Sequence, residues 1–118
     1  MPGLNPVDSD SLAEQIQRAL PGTKVVKTFC TQEQETVIDP GHIGGGDHTM
    51  FVSGDHHGAK QTAIGLLHEY GWSDVIDLGG LGNARAQEMY AHLHTAIGLA
   101  LGGMGTHFGV KIVRSQDR

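Results

Sequence analysis

The sequence predicts an α/β domain, and three observations carry that prediction. Apolar residues recur at helical spacing in three segments, three short runs are rich in Val, Ile and Phe, and the two kinds of signal alternate along the chain. The stretch from Met50 to Leu78 reads as strand–helix–strand. Such a unit pairs its two strands in parallel through a right-handed crossover.

Residues 1–10 are rich in Pro, Gly, Asn, Asp and Ser and read as an irregular lead-in; residues 11–118 read as one domain. The first helix is expected from Ser11 to Leu20. Ser11 and Glu14 form the S-x-x-E capping-box pattern, Leu12, Ile16, Ala19 and Leu20 fall on one face, and Pro21-Gly22 ends it. Lys24 to Phe29 has the β-branched and aromatic content of a strand. Cys30 to Gly46 is a long connection with one short apolar piece, Thr36-Val37-Ile38, and long connections are often functional.

His48 to Ser53 reads as the second strand, and Asp55 as the N-cap of a helix from His57 to Tyr70. Ala59, Ala63, Leu66, Leu67 and Tyr70 make its apolar stripe, and Gly71 suits its C-terminal stop. Asp74 to Leu78 is the third strand. The last helix is expected from Asn83 to Leu101, with Met89, Leu93, Ile97 and Ala100 along one side, and His107 to Val113 as a short extended tail. Three strands with three helices make a small sheet. Parallel strands are normally covered on both faces, so this reads as part of a larger sheet.

Composition narrows the function classes. The chain has 118 residues, of which 38% are hydrophobic and 18% charged, enough for one modest core. A net charge of -5 gives no general attraction to nucleic acid or an anionic membrane. The single cysteine, Cys30, excludes a disulfide framework and fits a cytoplasmic setting. There is no signal-peptide pattern, and the most apolar stretch, Thr95 to Met104, is too short to span a bilayer.

Candidate chemistry is sparse. Asp55-His56-His57 is similar to a phosphoesterase metal motif, but the acidic motifs that accompany it are missing. His92 and His94 stand two apart in a helix and point some 200° away from each other by helical geometry, so they cannot share one ion. No metal site is expected. Gly80-Leu81-Gly82-Asn83-Ala84-Arg85 follows a strand and opens a helix, the setting of a dinucleotide loop. Arg85 occupies the third glycine position and no acid-ended strand follows, so a plain turn is favoured. Arg85 and Glu88 are spaced to pair with each other or to contact another part of a larger protein.

The ordered series of segments resembles a known family. Ser11-Leu12-Ala13-Glu14, Leu20-Pro21 and Lys24 to Thr31 are similar to the "S-x-x-E…LP…VVKAFNT" run of NADPH-dependent deazaflavin (coenzyme F420) reductases. The likeness continues through Gly45 to Asp55, Gly71-Trp72, Asp74 to Gly79, Ala84-Arg85, Glu88-Met89 and Lys111 to Arg114. It implies a partial Rossmann-like, three-layer unit equivalent to the C-terminal half of such a reductase. The half with the G-x-G-x-x-G turn that binds NADP has no counterpart here.

By that resemblance the chain is an oxidoreductase-like domain whose cofactors are NADP and F420, incomplete for NADP binding alone. Cys30, Thr31 and Gln32 occupy the family's positions beside the nicotinamide ring; Thr31 matches while Cys30 and Gln32 depart. Gly103 and Gly105 lie in a segment similar to the family's glycine-rich end, where backbone can approach a flat ring. The expected partners are a second copy or a separate NADP-binding subunit. The alternatives are a non-enzymatic dimerisation or accessory module, with the final helix as its contact face, and a degenerate fragment.

Overall fold

The computed structural model describes residues 3–29, 34–102 and 108–115. It is α/β, with helices α1 (Leu12–Ala19), α2 (Gln34–Ile38), α3 (His57–Tyr70) and α4 (Ala84–Ala100) and strands β1 (Val26–Lys27), β2 (Thr49–Gly54) and β3 (Asp74–Asp77). The sheet order is β1-β2-β3. β2 and β3 pair in parallel, with Met50 opposite Val75 and Val52 opposite Asp77, as the strand–helix–strand reading requires. β1 runs antiparallel to β2, with Val26 opposite Gly54 and Lys27 opposite Ser53.

Alternation along β2 builds three layers. Met50 and Val52 point to one face and join Leu67 of α3 and Trp72 in the main core, flanked by Val37, Ile64, Tyr70 and Val75. Thr49 and Ser53 point to the other face and are equally buried, and there Ser53 Oγ donates to the Gln87 side chain of α4. α3 and α4 thus cover opposite faces of the sheet. Trp72 is almost wholly enclosed; its Nε1 donates to the Val37 carbonyl at 2.8 Å. A smaller cluster of Ala13, Leu81 and Ala84, with Val25 against it, joins α1 to the start of α4.

Several boundaries differ from the sequence expectation for identifiable reasons. Only Val26 and Lys27 of the Lys24–Phe29 run pair as strand, because Phe29 takes a left-handed φ of 58° and turns the chain away. The connection after Cys30 is not structureless: it holds α2 and two 3₁₀ turns, Pro40–His42 and Gly44–Gly46. The expected three helices are therefore four. α3 has the predicted bounds, and Gly71 ends it at φ 106°, with Trp72 N donating to Leu67 O at 3.0 Å. Within its predicted stripe Leu67 is buried whereas Leu66 is exposed.

Asp55 is not the cap of α3. His56 holds that position without a side-chain bond, and the Asp55 carboxylate instead accepts from Leu81 N at 2.9 Å. Residues 108–115 form no strand. Val110 O accepts from Thr49 N at 2.7 Å, and Ile112 N donates to Thr49 Oγ1 at 3.0 Å, so this segment is tied to the start of β2.

Candidate functional site

The sheet has two edges where chemistry could gather. At the carboxyl edge, β2 and β3 run into Asp55 and Gly79. The turn Gly79–Gly82 carries backbone amides into α4, as a phosphate loop would, through a 3₁₀ turn over Leu81–Asn83. Two of its amides are taken. Leu81 N donates to Asp55 Oδ1 at 2.9 Å, and Gly79 N donates to Asp77 Oδ1 at 2.8 Å. Lys60 reaches Asp77 at 3.0 Å and the Gly79 carbonyl at 3.2 Å. The Gly79 amide, then Lys60, holds the Asp77 carboxyl below its usual range. A pyrophosphate placed at this turn would meet two carboxylates that already occupy the anion positions. A shallow depression of about 200 Å³ beside it is lined by Glu14, Gln17, Arg18, Asp55, Leu81 and Gly82.

The opposite edge brings the starts of β2 and β3 together with residues 108–115. His48 sits here at 4% exposure, its ring edge-on to Trp72 at 4.9 Å. Its Nε2 lies 2.9 Å from the Pro40 carbonyl, which only accepts, so Nε2 carries the hydrogen. Nδ1 makes no hydrogen bond among the described residues and faces Gly109, where an added Cβ would run into the ring. Phe108 packs at 4.8 Å from the His94 ring of α4. Asp74 then anchors the segment: it accepts from Thr49 Oγ1 at 2.6 Å, Lys111 at 3.0 Å and Arg114 at 2.5 Å. Arg114 foremost, then Thr49 and Lys111, hold the Asp74 carboxyl well below the carboxylate range.

The residues that the sequence assigned to cofactor contact, Cys30, Thr31, Gln32, Gly103 and Gly105, lie outside the described residues. Their described neighbours in the chain are Phe29, Gln34, Gly102 and Phe108. Phe29 leaves β1 with its ring 6.5 Å from that of Tyr70. Because β1 is antiparallel to β2, Thr28 and Phe29 run back along β2, where Thr28 Oγ1 donates to Phe51 O at 2.7 Å. The carboxyl end of β1 is therefore not at the carboxyl edge of the parallel pair.

Among the other candidates, His56, His57 and His92 are exposed and His94 is half-buried. Among the described residues no three His, Cys, Asp or Glu side chains gather as a metal site. Among the described residues His48 is the buried histidine, and sequence reasoning passed over it in favour of the paired ones. Its place at the head of an apolar strand was the available signal.

Arg85 and Glu88 do not pair with each other. Arg85 binds Glu14 of α1 through Nε and Nη2 at 2.8 and 2.9 Å. The Glu88 carboxylate accepts from Leu12 N at 2.7 Å and Ala13 N at 3.1 Å, and lies 3.4 Å from Lys27 Nζ. Ser11 Oγ accepts from Glu14 N at 3.1 Å, so three amides at the start of α1 are satisfied. The capping box is thus completed by α4, not by Glu14 reaching back to Ser11 N. No helix among the described residues is long and apolar enough to cross a membrane.

No protein-family model matches the chain, and no curated protein does. Among solved structures, the chain is similar to a protein of Arthrobacter sp. FB24 described as a "putative F420 dependent NADP-reductase". The two are 46% identical and superpose with a TM-score of 0.92 over 97% of this chain. The chain spans about half the length of that protein, 51% of it. The resemblance read from the ordered segments therefore extends over nearly the whole sequence, and the fold is a partial Rossmann-like unit.

Proposed function

We propose, from a likeness to half of an F420-dependent NADP reductase that covers 97% of the chain, that this protein is the deazaflavin-side half of such an oxidoreductase. The observation that carries the reading is the 46% identity with a TM-score of 0.92. It corresponds to the C-terminal half, and its partner is an NADP-binding unit.

NADP does not fit the one glycine-rich strand-to-helix turn described here. The Leu81 and Gly79 amides are bound by Asp55 and Asp77, which supply negative charge where pyrophosphate would need none. The deazaflavin supplies a ring that accepts or gives a hydride, and the protein's task is to hold two rings face to face. In this reading Cys30, Thr31 and Gln32, which follow Phe29 in the chain, are the residues beside the nicotinamide ring, and Gly103 and Gly105, which follow Gly102, let the backbone approach a flat ring closely. Hydride transfer asks no general acid or base of these residues; it asks for position and exclusion of water.

A homodimer contact through α4 is the second part of the proposal. It is favoured by Met89 and Leu93, which are 37% and 56% exposed on the outward side of that helix. The functional reading is tested by fluorescence titration of the purified chain, first with oxidised F420 and then with NADPH. Saturable binding of F420 without binding of NADPH is the expected result. Binding of neither rejects it in favour of the non-enzymatic module.

A further inference from the structure

His48 is a buried titratable side chain for which hydride transfer has no use. Its ring is held between Pro40, Trp72 and Gly109. Pro40 is fully buried, and its carbonyl takes the Nε2 hydrogen at 2.9 Å. Trp72 is fully buried too and stands edge-on to the ring at 4.9 Å. Gly109 lies against Nδ1, so close that a Cβ there would run into the ring. With Nε2 carrying the hydrogen, Nδ1 bears a lone pair. That lone pair has no hydrogen-bond partner among the described residues.

The charged groups around the ring are engaged elsewhere or exposed. Asp47, the preceding residue, is exposed and pairs with Lys111 Nζ at 3.1 Å. Asp74 of β3 holds Thr49, Lys111 and Arg114. On the Pro40–His42 turn, Asp39 and His42 are exposed. Behind Trp72, His68 is exposed, with Nδ1 2.8 Å from the Trp72 carbonyl. His94 of α4 packs on Phe108, at the start of the segment that carries Gly109.

A proton taken from solvent by Nδ1 makes an imidazolium with two N–H groups. Nε2–H keeps the Pro40 carbonyl. Nδ1–H is left facing Gly109 without an acceptor, and the positive charge is enclosed with it. Buried donors and charges without partners are costly, so one side of the enclosure gives way. The sides differ in strength. Trp72 is packed in the main core and pinned through Nε1 to the Val37 carbonyl at 2.8 Å. Residues 108–115 form no strand. They are tied by Thr49 N to Val110 O, by Ile112 N to Thr49 Oγ1, and by the ion pairs of Asp74 with Lys111 and Arg114. The two cationic side chains are 37 and 48% exposed, and ion pairs so exposed hold weakly. Local opening comes from such lightly packed segments.

We infer that His48 is an acid-sensitive latch: its protonation frees residues 108–115 from the head of β2. A proton on Nδ1 is better accommodated with the segment released and water admitted, so acid shifts the balance toward the released form. The Asp74 pairs do not supply this response, because Arg114, Thr49 and Lys111 hold the Asp74 carboxyl well below the carboxylate range and it stays charged. The latch works whether or not the chain holds a deazaflavin.

The test is amide hydrogen exchange of the whole chain at about pH 8 and about pH 5.5, corrected for the intrinsic effect of pH on exchange. Protection of the Thr49 and Ile112 amides, which face residues 108–115, should fall at least about fivefold at the lower pH. The Leu78 amide, bound to Val52 O within the sheet, should keep its protection. His48→Gln offers an amide N–H to the Pro40 carbonyl and has no group that titrates in this range. In that variant Thr49 and Ile112 should be equally protected at both pH values. A second readout needs no substitution: in the parent, the His48 ring proton shifts should titrate with the same midpoint as the loss of protection.

Equal protection of Thr49 and Ile112 at both pH values in the parent overturns the inference. So does an undiminished loss in folded His48→Gln, which would assign the response to other groups such as His42 or His68. If His48→Gln does not fold, a His48 ring that titrates apart from the Thr49 and Ile112 amides overturns it, and a shared midpoint upholds it.

Discussion

Replacing Glu88 by alanine removes the carboxylate that receives Leu12 N and Ala13 N at the start of α1. Each amide left without its cap costs about 1 kcal/mol, and loss of a negative charge at a helix N-terminus adds about 0.5 kcal/mol. The sum is about 2–3 kcal/mol, a large share of the ~6–18 kcal/mol expected for a domain of this length. Glu88→Gln keeps one acceptor oxygen in place and should lose about half as much. Trp72, the one tryptophan, lies in the core and reports unfolding by fluorescence. In urea, with a slope of about 2 kcal/mol/M, the midpoint should fall by about 1 M for Glu88→Ala and by about 0.5 M for Glu88→Gln. A fall of less than about 0.3 M for alanine would refute the cross-helix cap, because water would then be serving those amides equally well.

Gly109→Ala places a methyl group against the His48 ring, which is fixed by the Pro40 carbonyl and by Trp72. It should cost about 1–3 kcal/mol and lower the Tm by several degrees, and an unchanged Tm would mean that residues 108–115 do not pack there. Trp72→Phe removes the bond to Val37 O from a fully enclosed site and should cost about 2–4 kcal/mol by circular dichroism melting. Asp74, Asp77 and Glu14 have carboxyl pKa values lowered in the folded state, chiefly by Arg114, the Gly79 amide and Arg85 respectively. Protons therefore bind the unfolded chain more tightly. The stabilisation is complete above the unfolded carboxyl value near about 4 and is lost as pH falls through the folded values. The urea midpoint should drop steadily below about pH 4, and Asp74→Asn should flatten that drop; an equal drop in the variant would contradict the assignment.

The strand–helix–strand unit was legible because its signals are local. The β-branched run of β2 and β3, the stripe of α3 and the glycine that ends it are written in adjacent residues. What escaped the sequence depends on partners distant along the chain. Glu88 and Arg85 look like an i, i+3 pair, yet they turn to α1, more than 70 residues away. Asp55 looks like a helix cap, yet it receives Leu81 N across the sheet edge. Periodicity located the apolar faces of α1 and α4 correctly but could not say that Leu12, Ile16 and Leu93 point outward, since a stripe has the same spacing whichever way it faces. The antiparallel sense of β1 was unreadable because Phe29 turns the chain after only two paired residues. The family likeness was legible from the order of many short segments, none diagnostic alone.

The central claim is that this chain carries the deazaflavin side of a two-part hydride-transfer site. Its most direct test is the bleaching of oxidised F420 by NADPH, followed by absorbance, with this chain, with the unmatched half of the Arthrobacter protein, and with the two together. The account predicts turnover only when both are present. F420 reduction by the unmatched half alone at the same rate, or none from an assembled complex that binds both cofactors, would contradict it.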